Sequence, residues 1–150
     1  MNNPNNFIEG IKFFTTDSKE IINYPKIHLK NGISKNDNTK RKFKRTVRLY
    51  KRIKNKMIED GLPVSGNIRS FLIESLLWNV PDIIFNNANS WNDTLRNTII
   101  SLYNNTKTEE GCNTWGEVSE QFYLFHSGRK WNREDTNAFL IQMWNYLEYK

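Results

Sequence analysis

Between Lys40 and Lys56 the chain carries ten Lys or Arg residues and no acid, while Phe43, Val47, Tyr50, Ile53 and Met57 recur at spacings of three and four. At roughly 100° per residue, that spacing gathers the apolar side chains on one stripe and leaves the cations on the rest of the helix surface. A segment of this kind needs a core on one side and water or an anion on the other. Gly61 and Pro63 mark its end.

The same periodicity continues downstream. A second helix is expected from about Asn67, presenting Phe71, Leu72, Leu76 and Val80 before Pro81. A third starts at Ser90, with Asp93 completing a cap-like pattern, and carries Trp91, Leu95, Ile99, Leu102 and Tyr103. "TWGE" at 114–117 opens a predicted fourth helix with Trp115, Val118, Phe122 and Phe125. The last starts near Asn132 and presents Phe139, Leu140, Met143, Trp144 and Leu147. Aromatics at this spacing belong to a core before any ligand box.

Upstream the pattern changes. Segments 7–16 and 20–30 alternate imperfectly and are rich in Phe, Ile and Tyr, with "TDSKE" between them. They predict a β-hairpin, with Pro25 pushing the second strand to an edge or bulge. "NGISKNDNT" then predicts a turn-rich loop. The expected fold is mostly α: a hairpin over residues 1–32, then a helical lobe over 33–150 built as a bundle of about five helices. A hairpin this small is not stable alone and needs helices or further strands to pack on.

Composition narrows the function. An apolar content of 37%, with 5 Trp and 9 Phe in 150 residues, is enough for a real core. A net charge of +6 favours phosphate-bearing partners without saying whether they are polymers or nucleotides. The single cysteine, Cys112, rules out an intrachain disulfide and favours a reducing, cytoplasmic setting. Neither a secretory leader nor a membrane-spanning run is evident, so no membrane partner is expected.

Candidate binding residues follow from the basic helix. Lys44, Arg48 and Lys51 border its apolar face, where packing can hold a charge in one place; Arg45, Arg52 and Lys56 point outward. Lys35 and Asn36, in the loop before it, offer a further cation and amide to an anion. His28 and His126 lack partners at ligand spacing and are expected to be structural. The six Asp residues from 17 to 135 are scattered without a D-x-D pair, and phosphate-loop, dinucleotide, zincin and nucleophile-elbow motifs are absent. The residues assemble neither a catalytic group nor a metal site.

The order "YPKIHLKNGISKNDNT", "FKRTVRLYKRIKNK", "IRSFLIESLLWNVPD" resembles the second half of bacterial cGAS/DncV-like nucleotidyltransferases, relatives of oligoadenylate synthetase and metazoan cyclic GMP–AMP synthase. The likeness continues into "TWGEVSEQF" and the Trp-rich end, nearly the whole chain. It implies a helical C-terminal lobe that closes over nucleotides during second-messenger synthesis, with a role in anti-phage defence. In such enzymes an N-terminal lobe supplies Gly-Ser, a D-x-D pair and a third Asp that hold two Mg²⁺ ions. None of these is matched here, so Mg²⁺ and NTP chemistry are expected only in a complete enzyme, and this chain alone is expected to be inactive. Two positions match: Lys51 in "VRLYK" and Ser70 in "RSFLIE" stand where the family grips the donor triphosphate. The implied partners are a nucleoside triphosphate and an N-terminal nucleotidyltransferase lobe on another chain. The alternative is a non-catalytic basic module that binds DNA or RNA through the outward cations.

Overall fold

A computed structural model of the protein describes residues 11–14 and 20–150, with side chains described from Tyr24 onward. Two strands, β1 (Ile11–Phe14) and β2 (Glu20–Asn23), pair antiparallel, with Ile11 opposite Asn23 and Phe14 opposite Glu20. Residues 7–10 and 15–19 of the expected hairpin lie outside the described residues.

The second strand does not run to residue 30. Helix α1 occupies Pro25–Asn38, so the segment expected as strand and then loop is helical and crosses the expected boundary at 32/33. Pro25 sits in the first turn, where its fixed φ suits a helix and its missing N–H costs nothing. The residue expected at a strand edge or bulge is a helix starter. Asn31 and Gly32 fall mid-helix, and Gly32 is buried.

Lys40 and Arg41 reverse the chain in left-handed geometry, with φ of 54° and 65°. Helix α2 (Lys42–Glu59) follows and buries Phe43, Thr46, Val47, Tyr50, Ile53 and Met57, the expected face with one threonine added. Its first turn is capped by α1: Thr39 Oγ1 accepts from the Phe43 N–H at 3.0 Å, and Asn36 Oδ1 from the Lys44 N–H at 3.1 Å. Gly61, at φ 87°, ends the helix in a conformation that favours glycine.

Helix α3 (Ser70–Trp78) is the most enclosed, burying Leu72, Ile73, Ser75, Leu76 and Leu77. After the short α4 (Asp82–Asn86) comes α5 (Trp91–Thr106), whose N-cap Ser90 accepts from the Asp93 N–H as the sequence pattern suggested. Helix α7 (Arg133–Tyr146) packs along α5 and is capped by Asn132 in the same way. Between them lies the one-turn α6 (Glu109–Cys112). The described residues thus hold seven helices, none long and apolar enough to cross a membrane.

The predicted helix at 114–125 does not form. Gly116 and Tyr123 make an isolated antiparallel bridge, and the Asn79 side chain both donates to the Gly116 carbonyl and accepts from its N–H. The Leu124 N–H donates to the Trp115 carbonyl, and Trp131 Nε1 to the Leu124 carbonyl. These bonds replace the i→i−4 ladder, while Val118 and Leu124 still reach the core fully buried. Helical spacing here reflects core contacts made by an irregular loop.

Candidate phosphate and nucleotide site

Lys51 lies half-buried on α2, and Ser70 is the exposed first residue of α3. Two interactions relate their helices. Lys54, one turn beyond Lys51, donates through Nζ to the Ile68 carbonyl at 3.0 Å, two residues before Ser70. Lys51 also exerts its charge on Glu74, one turn along α3 from Ser70. Arg69, the N-cap of α3, makes no side-chain cap bond. The Lys54 bond sets α2 beside the N-terminus of α3, where unsatisfied first N–H groups and the helix dipole favour an anion.

Glu74 is the acid on which the nearby cations act. Burial pushes the Glu74 carboxyl up. A hydrogen bond from His28 and the charges of His28, Lys51 and Lys44 together outweigh it, and the carboxyl titrates below its ordinary range. Burial, then the Lys51 charge, lowers the Lys54 ammonium.

Lys44 faces a pocket of about 580 Å³ that opens between α1, α2, α3 and the 113–132 loop. Tyr24, His28, Phe71, Glu74 and Arg129 also line it. Arg48 lies elsewhere, in a shallow groove of about 560 Å³ along α2 with Lys51, Arg52 and Lys56.

The other two candidates serve the fold. Lys35 is buried: its Nζ donates to the Val80 carbonyl at 2.8 Å and to Asp82 Oδ1 at 2.6 Å, over the rings of Phe43, Trp78 and Phe85. The helical rotation of α1 turns its side chain inward instead of out of a loop. Asn36 spends its carbonyl oxygen on capping α2.

Sequence reasoning treated His28 as structural and passed over Glu74 and Arg129. His28 Nε2 meets Glu74 Oε1 at 2.5 Å, and its ring lies 5.4 Å from that of Phe71. Arg129 forms a two-pronged pair with the buried Glu117, at 2.6 and 2.7 Å, and stands over Phe71, Phe122 and Trp131. Glu74 was detectable, four residues from Ser70 on the same face. Arg129 depends on an irregular loop that leaves no period to read. His126 Nε2 is 3.5 Å from Glu117 Oε2, and burial lowers its pKa; burial likewise raises the Cys112 thiol.

A family model described as the cGAS/DncV-like nucleotidyltransferase C-terminal helical domain matches residues 30–148. The chain is 53% identical over 144 residues to a cyclic dipyrimidine nucleotide synthase of Cecembia lonarensis, covering 96% of this chain and 49% of that protein. It is 39% identical over 142 residues to a cyclic dipurine nucleotide synthase of Elizabethkingia meningoseptica, covering 95% and 47%. Among solved structures, the Elizabethkingia meningoseptica CdnE cyclic dinucleotide synthase with GTP and Apcpp superposes with a TM-score of 0.83 at 38% identity, over 93% of this chain and 50% of that one. The Rhodothermus marinus c-UMP-AMP synthase with Apcpp and Upnpp gives 0.81 at 28%, over 99% and 50%. The chain spans about half the length of the curated relatives it matches. It belongs to the cGAS/DncV-like nucleotidyltransferase family and corresponds to that family's C-terminal helical domain.

Proposed function

We propose that this chain is the nucleotide-gripping lobe of a cyclic-nucleotide synthase, with Lys51, Ser70 and the N-terminus of α3 holding a donor triphosphate. The observation that carries the reading is the approach of α2 to the N-terminus of α3 through the Lys54–Ile68 bond, with the Lys51 charge acting on Glu74 of the same helix. An ammonium, a hydroxyl and free backbone N–H groups at one point neutralise and orient a polyphosphate without reading a base. Lys44 adds positive charge nearby, and Arg48 stands at the outer edge of the same helix. The relatives solved with nucleoside triphosphates or their analogues support a nucleotide as the anion.

Among the described residues no three His, Cys, Asp or Glu side chains gather to hold an ion, and the 150 residues contain no D-x-D pair. Carboxylates, Mg²⁺ and in-line chemistry belong in this reading to a nucleotidyltransferase lobe, whose core sheet the β1–β2 ladder extends. The synthase makes a nucleotide second messenger in anti-phage defence.

Titration of the lobe with ATP tests the anchor. Lys51→Ala should weaken binding by about 1.5–3 kcal/mol, or roughly ten- to a hundredfold. Ser70→Ala should cost on the order of 1 kcal/mol. Arg52→Ala removes an equal charge from the exposed side of α2 and should change affinity little.

The groove lined by Arg48, Arg52 and Lys56 favours a second reading, a DNA- or RNA-binding face. Lys56 is partly neutralised there by Glu59 and Asp60, each at 3.8 Å. Equal losses from Lys51→Ala and Arg52→Ala, together with steep weakening in salt, would favour the polymer.

A further inference from the structure

A carboxylate beside a phosphate anchor needs a reason. Glu74 has a side chain 25% exposed, faces the 580 Å³ pocket, and has Lys44 and Lys51 close enough to act on it. His28 takes Oε1, and among the described residues no hydrogen bond reaches Oε2. An ionised carboxylate accepts and never donates, so it answers a ligand's O–H or N–H groups, not its phosphates.

Position then selects the group. Ser70 and Glu74 lie one turn apart on the same face of α3, roughly 6 Å along its axis. In a nucleoside triphosphate, the unit that follows the phosphate chain is the ribose, with two hydroxyl donors. The base lies one sugar further on. A fixed carboxylate is a suitable acceptor for ribose hydroxyls. His28 supplies the fixing, since its ring is held against Phe71 while its Nε2 holds Oε1.

We propose that Glu74 reads the ribose: its Oε2 accepts a hydrogen bond from a ribose hydroxyl of the nucleotide whose triphosphate rests on Lys51 and Ser70, and His28 positions the carboxylate. The proposal rests on the anchor reading above, and its test separates the two.

Calorimetric titration of the full chain with tripolyphosphate, ATP, 2′-deoxy-ATP and 3′-deoxy-ATP supplies the arms. Tripolyphosphate reports the anchor alone; its failure to bind, or binding indifferent to Lys51→Ala, sinks the anchor reading and this proposal with it. If tripolyphosphate binds through Lys51, the sugar arms decide. Wild type should bind at least one deoxynucleotide about tenfold more weakly than ATP. Glu74→Ala should abolish that penalty while tripolyphosphate binds equally well or more tightly, because a negative charge has gone. Should Glu74→Ala not fold, the near-isosteric Glu74→Gln should show a penalty reduced to about twofold to threefold, as a neutral acceptor is weaker. Equal affinity of wild type for ATP and both deoxynucleotides overturns the assignment. So does a Glu74 variant that loses tripolyphosphate and ATP alike, which would give the carboxylate a structural role only. A Glu74→Gln change in the preference between ATP and CTP would place the carboxylate on the base instead.

Discussion

Lys35 shows how far a side chain's task depends on which way its backbone turns. As a loop cation it faces an anion; as a residue of α1 it is 7% exposed and ties α1 to the start of α4 through Val80 and Asp82. Lys35→Ala should therefore destabilise the fold by roughly 2–4 kcal/mol, through a cavity and an unpartnered buried carbonyl. Urea denaturation measures this, and a loss near zero would make Lys35 a free surface cation after all. Glu74 offers a pH test. Its carboxyl is held below its ordinary 4.5, so it contributes stability that is fully present above that value and fades as pH falls through the lowered one. The stability gap between wild type and Glu74→Gln should close progressively as pH falls below about 4.5. A gap of the same size at both ends would mean that His28 and the two lysines do not favour the ionised form.

At the level of elements, the helices that the sequence announced are those with both a long apolar stripe and a local stop or cap. Gly61 closes α2, and Ser90 and Asn132 open α5 and α7, each within a few residues of the structure it controls. Helix α1 had neither advantage. Its buried positions include Gly32 and Lys35, so hydropathy gives it no stripe, and Pro25 and Asn31–Gly32 carry turn chemistry wherever they stand. The 113–132 loop failed in the opposite sense, showing a stripe with no helix, because the bonds that shape it come from Asn79, thirty-seven residues from Gly116. The α1–α2 junction was legible only in hindsight. Asn36 and Thr39 look like loop polar residues, yet they cap the most basic helix. Asn36→Ala should cost about 1 kcal/mol, some 2–4 °C in Tm for a domain of this size, and should leave tripolyphosphate binding intact. Loss of phosphate affinity without loss of stability would restore Asn36 to the anion site.

For the whole molecule, half of the candidate site could be found from motif position and half required the fold. Lys51 and Ser70 stand in local motifs, and one Lys54 bond brings their elements together. His28, Glu74 and Arg129 are spread over about a hundred residues of sequence, and their meeting is a property of the packing alone. What the described residues present is a basic wall in which the carboxylates Glu74 and Glu117 are set, and the proposed reading makes it a holder of nucleotides. Nucleotidyl transfer needs acids that hold two metal ions, one to activate the attacking hydroxyl and one to stabilise the leaving pyrophosphate. The 150 residues contain no D-x-D pair. Incubated with radiolabelled ATP and GTP and either Mg²⁺ or Mn²⁺, the purified chain should give no linear or cyclic product. Co-expression with a nucleotidyltransferase lobe bearing Gly-Ser and D-x-D should restore product, and Lys51→Ala in the chain should then reduce it. Product from the purified chain above a boiled control would show that the active site lies within these residues and has been misplaced. Failure of the Lys51 change to affect the restored activity would move the triphosphate away from α2.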